Sequence, residues 1–352
     1  MDAIVLHPYA VPPEQLRRSI ALLRAIPDAT EMPIEITEWG TSSKEEAPAH
    51  LMKGYCQFAL SAVTRFIWYP LGDRGDGFAP LIDGNNVTPV GRAYQMAQTA
   101  FWGEPVTDLG LDPFTYGCGF GDKAMVLWGA LRQVTLTEGV RAFASDGQPL
   151  ASEELVLDRD RPIVLLSDAP IRIGEELRLG PHGVIADSYD QFAFPAQGQT
   201  TGPLMILAEK GRNSVPFATR PGQECGGVPW SPYLGNELDM SLRASADWVL
   251  PGEVPGLQGP QPVAIVQRYR AERSSAARLW IDIAPSAESM DGVILRIRQG
   301  RDILLELWVA EATIVELPIA LTAGMDTDVI VAPGENAHGD FTRLRIRFLE
   351  ER

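Results

Sequence analysis

Helical periodicity runs through residues 1–103 of this chain and then stops. That break constrains the fold more than any single motif, because helices on a sheet and sheet on sheet are different architectures. Before the break, strand and helix patterns alternate. Ala3–Leu6 is apolar and ends at His7-Pro8-Tyr9. Pro13-Glu14 opens a helical stretch carrying Leu16, Ile20, Leu23 and Ile26 on one face. Ile34–Thr37 is a second strand, and Ala47–Val63 a second helix with Leu51, Tyr55, Phe58, Leu60 and Ala62 as its apolar positions. Arg65–Pro70 is a third strand, and Thr88-Pro89 starts a helix that ends near Phe101-Trp102-Gly103. Proline in a first turn loses no hydrogen bond. Three successive βα units predict parallel strands with right-handed crossovers.

After the break the pattern is β throughout. Glu104–Pro113 is a linker rich in Pro, Gly and Asp. Lys123–Ala130, Gln133–Leu136, Val140–Ala144, Leu155–Leu157 and Ile163–Leu166 read as short strands, with a turn at Asp146-Gly147. From about residue 183 the chain is again strand-like, with clear runs from Leu204–Ala208 to Thr342–Phe348. Arg343-Leu344-Arg345-Ile346-Arg347-Phe348 alternates one wet and one dry face. The expected division is residues 1–104 as an α/β unit, 105–170 as a small antiparallel β domain packed on it, and 183–352 as a β-sandwich or jelly roll.

A formal net charge of −16 makes nucleic acid and anionic membrane poor partners, while a neutral ligand such as a sugar meets no penalty. No apolar run approaches the ~20 residues of a membrane span. Cys56, Cys118 and Cys225 are widely spaced and odd in number, so neither a disulfide framework nor a zinc site is expected, and Cys56 reads as a small core residue. His7, His50, His182 and His338 lack ligand spacing. No metal site and no cofactor is predicted; the acidic run Asp326-Thr327-Asp328 is not diagnostic of calcium.

The chemistry-bearing residues gather at strand ends. Pro33–Gly40 is a strand that closes on Glu38, Trp39 and a glycine, and the flanking strands end at His7/Tyr9 and Trp68/Tyr69. Parallel strands that present polar and aromatic groups on one edge mark a shared site. The plainer alternatives are a solvated Glu38, a strand-capping His7, a packing Tyr9 and a core Trp68.

These three strand ends resemble the sixth, seventh and eighth of a (β/α)8 retaining glycoside hydrolase of clan A, of the β-xylosidase/α-iduronidase-like kind. Gly77-Phe78 and Pro89-Val90-Gly91-Arg92-Ala93-Tyr94 approximate that family's last loop and helix, and Val126-Leu127-Trp128 resembles a strand of its appended sheet. The resemblance implies a partial barrel of three βα units and Glu38 as nucleophile of a retaining glycosidase. It implies His7 and Tyr9 flanking Glu38, Trp39 and Trp68 against the sugar, and Asp73, Arg74 and Asp76 at sugar hydroxyls.

A full barrel needs eight units. The acid/base of that clan, an Asn-Glu pair, has no match near a parallel strand, and Asn236-Glu237 reads as a loop of the β region. The chain is therefore expected to be a C-terminal portion lacking the acid/base half and inactive in isolation. Its expected partners are a β-linked poly- or oligosaccharide and either a separate N-terminal half or a second copy. A periplasmic or secreted location would follow if a longer gene encodes a signal peptide, and a cytoplasmic one is the alternative. The alternative is a non-catalytic carbohydrate-binding or assembly protein. Its sandwich aromatics would be Trp230, Tyr233, Trp248, Tyr269, Trp280 and Trp308, of which Trp280 and Trp308 read as core. A second carboxyl within reach of Glu38 separates the two.

Overall fold

A computed structural model describes residues 3–151, 155–195, 202–211, 213–223, 230–236, 241–257 and 259–351. Backbone contacts cluster into two units, Met1–His182 and Gly183–Arg352.

In the first unit, β1 (Ile4–Leu6), β2 (Ile34–Trp39) and β3 (Val63–Trp68) form a parallel sheet in the order β1-β2-β3. The helices between and after them are α1 (Pro13–Arg24), α2 (Ala47–Leu60) and α3 (Pro89–Ala100). Each helix has proline in its first turn. On α3 the Thr88 hydroxyl also accepts the Gly91 N–H at 3.1 Å, which satisfies one orphan donor of the helix start. The chain then builds a six-stranded sheet from Val106–Asp108 to Ile163–Ser167 and a three-stranded sheet on Arg132–Leu136. Ile34, Ile36, Leu51 and Met52 share one buried cluster with Phe120, Val126 and Trp128 of the six-stranded sheet.

This overturns the partial (β/α)8 barrel. Among the described residues the parallel sheet ends at three strands and the chain is mostly β, largely antiparallel. Strand–helix alternation is a local consequence of periodicity. Barrel closure depends on the number, tilt and stagger of strands across the whole sheet, which no local pattern reports. Residues of α2 share a buried cluster with both the parallel sheet and the antiparallel sheet.

Two buried links join the helices to that sheet. Cys56 on α2 is disulfide-bonded to Cys118, which corrects the reading of Cys56 as an unpaired core residue. Lys53 Nζ lies 2.8 Å from Glu14 Oε1, and the Trp128 indole N–H donates to the same oxygen at 3.0 Å.

In the second unit an eight-stranded and a seven-stranded sheet enclose one core, with Leu279, Ile281 and Ile346 facing Ile265, Leu295 and Val331. Asp326 and Asp328 are ion-paired within a sheet rather than open to a cation. Arg270 holds Asp326, while Arg268 and Arg298 hold Asp328, at 2.6–2.7 Å. Tyr233 and Tyr269 are buried. Trp230 and Trp308 are exposed, which corrects the core reading of Trp308: it projects from Asp302–Val309, the last strand of its sheet.

Candidate functional site

The register of β2 decides what the strand presents. Ile34 and Ile36 point into the core, so strict alternation would send Glu38 inward and Trp39 outward. The pairing shifts between Ile36↔Phe66 and Trp39↔Trp68, which spends three residues of β2 on two of β3. This irregularity reverses the faces, as bulges do. Trp39 is fully buried and Glu38 is left 35% exposed at its side chain.

Trp39 and Trp68, expected against substrate, are therefore core residues. Trp39 stacks on His50 at 4.1 Å and meets Trp68 edge-on at 5.7 Å. Trp68 spends its indole N–H on the Ala79 carbonyl at 2.9 Å. A Cβ at Gly54 of α2 would fall 2.1 Å from the Trp39 ring, so the helix approaches this closely only with glycine there.

The remaining candidates do converge. His7 lies 3.2 Å through Nδ1 from Glu38 Oε2 and 2.8 Å through Nε2 from the Thr37 hydroxyl. An Nδ1–H tautomer donates to Glu38 and accepts from Thr37. Tyr9 donates to Glu38 as well. Burial, then the Glu38 charge, pushes the Tyr9 hydroxyl far above the ordinary phenol range, so it remains a donor.

Across the edge, Tyr69 donates to Asp76 Oδ2 at 2.5 Å. That bond raises Tyr69 and holds the Asp76 carboxyl below its usual range, helped by the Phe78 N–H at 3.2 Å. Phe78 stands edge-on to Tyr9 at 5.2 Å and to Tyr69 at 5.6 Å. Arg74 lies over the Tyr69 ring at 5.7 Å. Asp73 accepts the Gly75 N–H at 2.8 Å and shapes the loop. The strand pattern missed Phe78 and weighed Tyr69 too lightly; their signal was an aromatic on either side of the Asp73–Gly77 turn.

A cavity of about 560 Å³ lies elsewhere in this unit, beside Glu14, Arg17, Asp108 and Asp112, and includes none of these groups. Among the described residues no three His, Cys, Asp or Glu side chains converge on a metal position, and no helix is long and apolar enough to cross a membrane. Asn236 is buried beside the strand Tyr233–Gly235, and Glu237 lies outside the described residues.

No protein-family model and no curated protein matches the chain. Among solved structures it is similar to a β-porphyranase of glycoside hydrolase family 86 from Bacteroides plebeius, at 10% identity and TM-score 0.30, covering 100% of this chain and 64% of that one. An isomalto-dextranase from Arthrobacter globiformis is 9% identical at TM-score 0.23, covering 90% of this chain and 49% of its own. The C-terminal family 6 carbohydrate-binding module of a laminarinase from Zobellia galactanivorans is 16% identical at TM-score 0.20, over 29% of this chain and 90% of the module. The neighbours thus include glycoside hydrolases and carbohydrate-binding modules, at TM-scores that define neither a family nor a ligand for this chain.

Proposed function

We propose that the edge formed by His7, Tyr9, Glu38, Tyr69, Arg74 and Asp76 binds a neutral carbohydrate without cleaving it. One observation carries the non-catalytic half of this reading: Asp76, which with Glu38 is one of the two carboxylates acting on Tyr9 and Tyr69, accepts the Tyr69 hydroxyl at 2.5 Å and the Phe78 N–H at 3.2 Å, bonds that favour its charged form. Retaining hydrolysis needs a second carboxyl about 5–5.5 Å from the nucleophile that stays protonated until it donates to the leaving oxygen. Asp76 is shifted the opposite way.

The same arrangement suits recognition. Two carboxylates accept sugar hydroxyls, Arg74 donates, and Tyr9, Tyr69 and Phe78 offer apolar ring surface to the C–H face of a pyranose. The strand-end residues resemble those of a sugar-cleaving site, and the −16 charge disfavours polyanionic glycans.

The test is isothermal titration of the full chain against neutral β-linked oligosaccharides, paired with turnover of aryl glycosides. Binding without turnover is expected, with Glu38→Gln and Tyr69→Ala each weakening it by about tenfold or more, as for a lost charge-assisted bond. Turnover that disappears in Glu38→Gln would overturn the non-catalytic reading. Absence of binding, or binding indifferent to both variants, would remove the site altogether.

A further inference from the structure

In the second unit, residues 286–292 and 334–341 are laced together at one end of the sandwich. The Ser286 N–H donates to the Phe341 carbonyl at 2.7 Å, and its hydroxyl to the Gly339 carbonyl at 3.0 Å. Asn336 gives its backbone and side-chain N–H to Asp291 Oδ2 at 2.8 and 3.0 Å. Glycine permits the approach. A Cβ at Gly334 would stand 2.9 Å from Asp291 Oδ2, and one at Gly339, whose φ is +78°, would stand 2.3 Å from the Glu288 carbonyl oxygen.

Two carboxylates lie within this lacing, and each keeps one oxygen buried without a hydrogen-bond partner. Asp340 is 0% exposed; its Oδ1 accepts the Ser289 hydroxyl at 2.6 Å, but its Oδ2 is buried without a hydrogen-bond partner. Asp291 Oδ1 is likewise buried and unbonded. Both carboxylates border Gly334, whose N–H serves Asp340. The three arginines that follow Asp340 on the last strand are engaged elsewhere, Arg343 by Asp282, Arg345 by Asp187 and Arg347 over the Trp280 ring. An uncompensated buried carboxylate is expensive, and two that share a site repel.

We propose that Asp291 and Asp340 hold a calcium ion between these two loops. Two carboxylates are fewer than a dense acidic cluster would supply, so the other donors are neutral oxygens. The Ser289 hydroxyl and the carbonyls of Glu288, Asp291 and Gly339 lie on the same loops. Calcium accepts six to eight oxygen ligands in irregular geometry. Magnesium demands an octahedron and retains water, and zinc favours nitrogen and sulfur. The ion would neutralise the pair and fasten the two loops, which are 42 or more residues apart in the chain (292 to 334). This site is independent of the Glu38 edge and stands or falls without it.

The test is calorimetric titration of the chelator-stripped full chain with calcium chloride, with magnesium chloride as comparison, and thermal unfolding in both states. One calcium per chain is expected. At a hundredfold excess over its Kd, calcium should raise the melting temperature of this unit by about 5–10 °C. Asp340→Asn and the less buried Asp291→Asn should each weaken calcium by about tenfold or more, with circular dichroism confirming the fold, while Asp302→Asn, at the start of the strand Asp302–Val309, leaves it unchanged. If calcium neither binds nor shifts melting in the parent chain, the carboxylates are instead reconciled by a proton and the proposal is wrong. Binding that survives both Asn variants refutes it equally.

Discussion

The buried ion pair between α1 and α2 sets a number that can be measured. Glu14 is 5% exposed and Lys53 8%, with 2.8 Å between Nζ and Oε1. Burial alone would raise the Glu14 carboxyl; Lys53 and then Arg159 outweigh it and bring the group down to about 2 from 4.5. That difference corresponds to about 3 kcal/mol of stability at neutral pH. Lys53→Met removes the principal compensating charge and leaves the desolvation in place, so it should cost about 3 kcal/mol in urea unfolding at pH 7, within the range for broken buried pairs. Glu14→Gln keeps an acceptor for the Trp128 N–H but strands Lys53. The double variant Glu14→Gln/Lys53→Met should recover much of the loss, with a coupling above about 1.5 kcal/mol. The sign with pH is fixed. The folded carboxyl is the more acidic, so its contribution is complete above pH 4.5 and is lost as pH falls from 4.5 through 2. The gap between parent and Lys53→Met should therefore close over that window. A cost below about 1 kcal/mol, or a cycle with no coupling, refutes a load shared by these two charges.

Three further outcomes follow from the first unit. His50 is held down to about 4 from 6.5, by burial first and Lys53 after it, against the opposing pull of Glu14. The unfolded chain thus binds its proton first, and stability should fall by at most about 3 kcal/mol as pH drops from 6.5 through 4; a His50→Leu variant that keeps the same slope in calorimetry would contradict this. Gly54→Ala places a methyl 2.1 Å from the Trp39 ring and should cost about 1–3 kcal/mol with a changed near-ultraviolet dichroism; an unaltered melting temperature would refute the contact. The Cys56–Cys118 bond spans 62 residues, so Cys118→Ala should lose roughly 4 kcal/mol on loop entropy. Thiol counting in denaturant without reductant should find Cys225 alone, and three free thiols would disprove the bond.

The elements that were legible are those whose signal is local. Proline at each helix start, the 3.6-residue spacing on α1 and the polar ends of three apolar strands all lie within a few residues of what they specify. What was not legible depends on partners far along the chain. The barrel expectation failed because the surface that covers α2, carried by Phe120 and Val126, arrives after the alternating pattern has ended. The resemblance places Trp39 and Trp68 against substrate, whereas one extra residue in β2 turns Trp39 into the core, where Trp68 meets it. Cys118 pairs across 62 positions, and Asp291 meets the loop of Asp340 across four intervening strands. Neither cysteine nor aspartate spacing encodes such a meeting.

The shifted register in β2 has an effect on how this protein can change. Glu38 hangs from a residue that the sheet ladder does not count, while Trp39 beside it fills the core under α2. The two neighbours answer to different demands: one to whatever arrives at the edge, the other to packing alone. Substitutions at Glu38 act on its bonds to His7 and Tyr9 at the edge, whereas those at Trp39 act on the packing of the core. Deleting Thr37 would remove the extra residue and leave a regular ladder with Trp39 still facing the core, so the loss would fall on the edge, where His7 contacts the Thr37 hydroxyl.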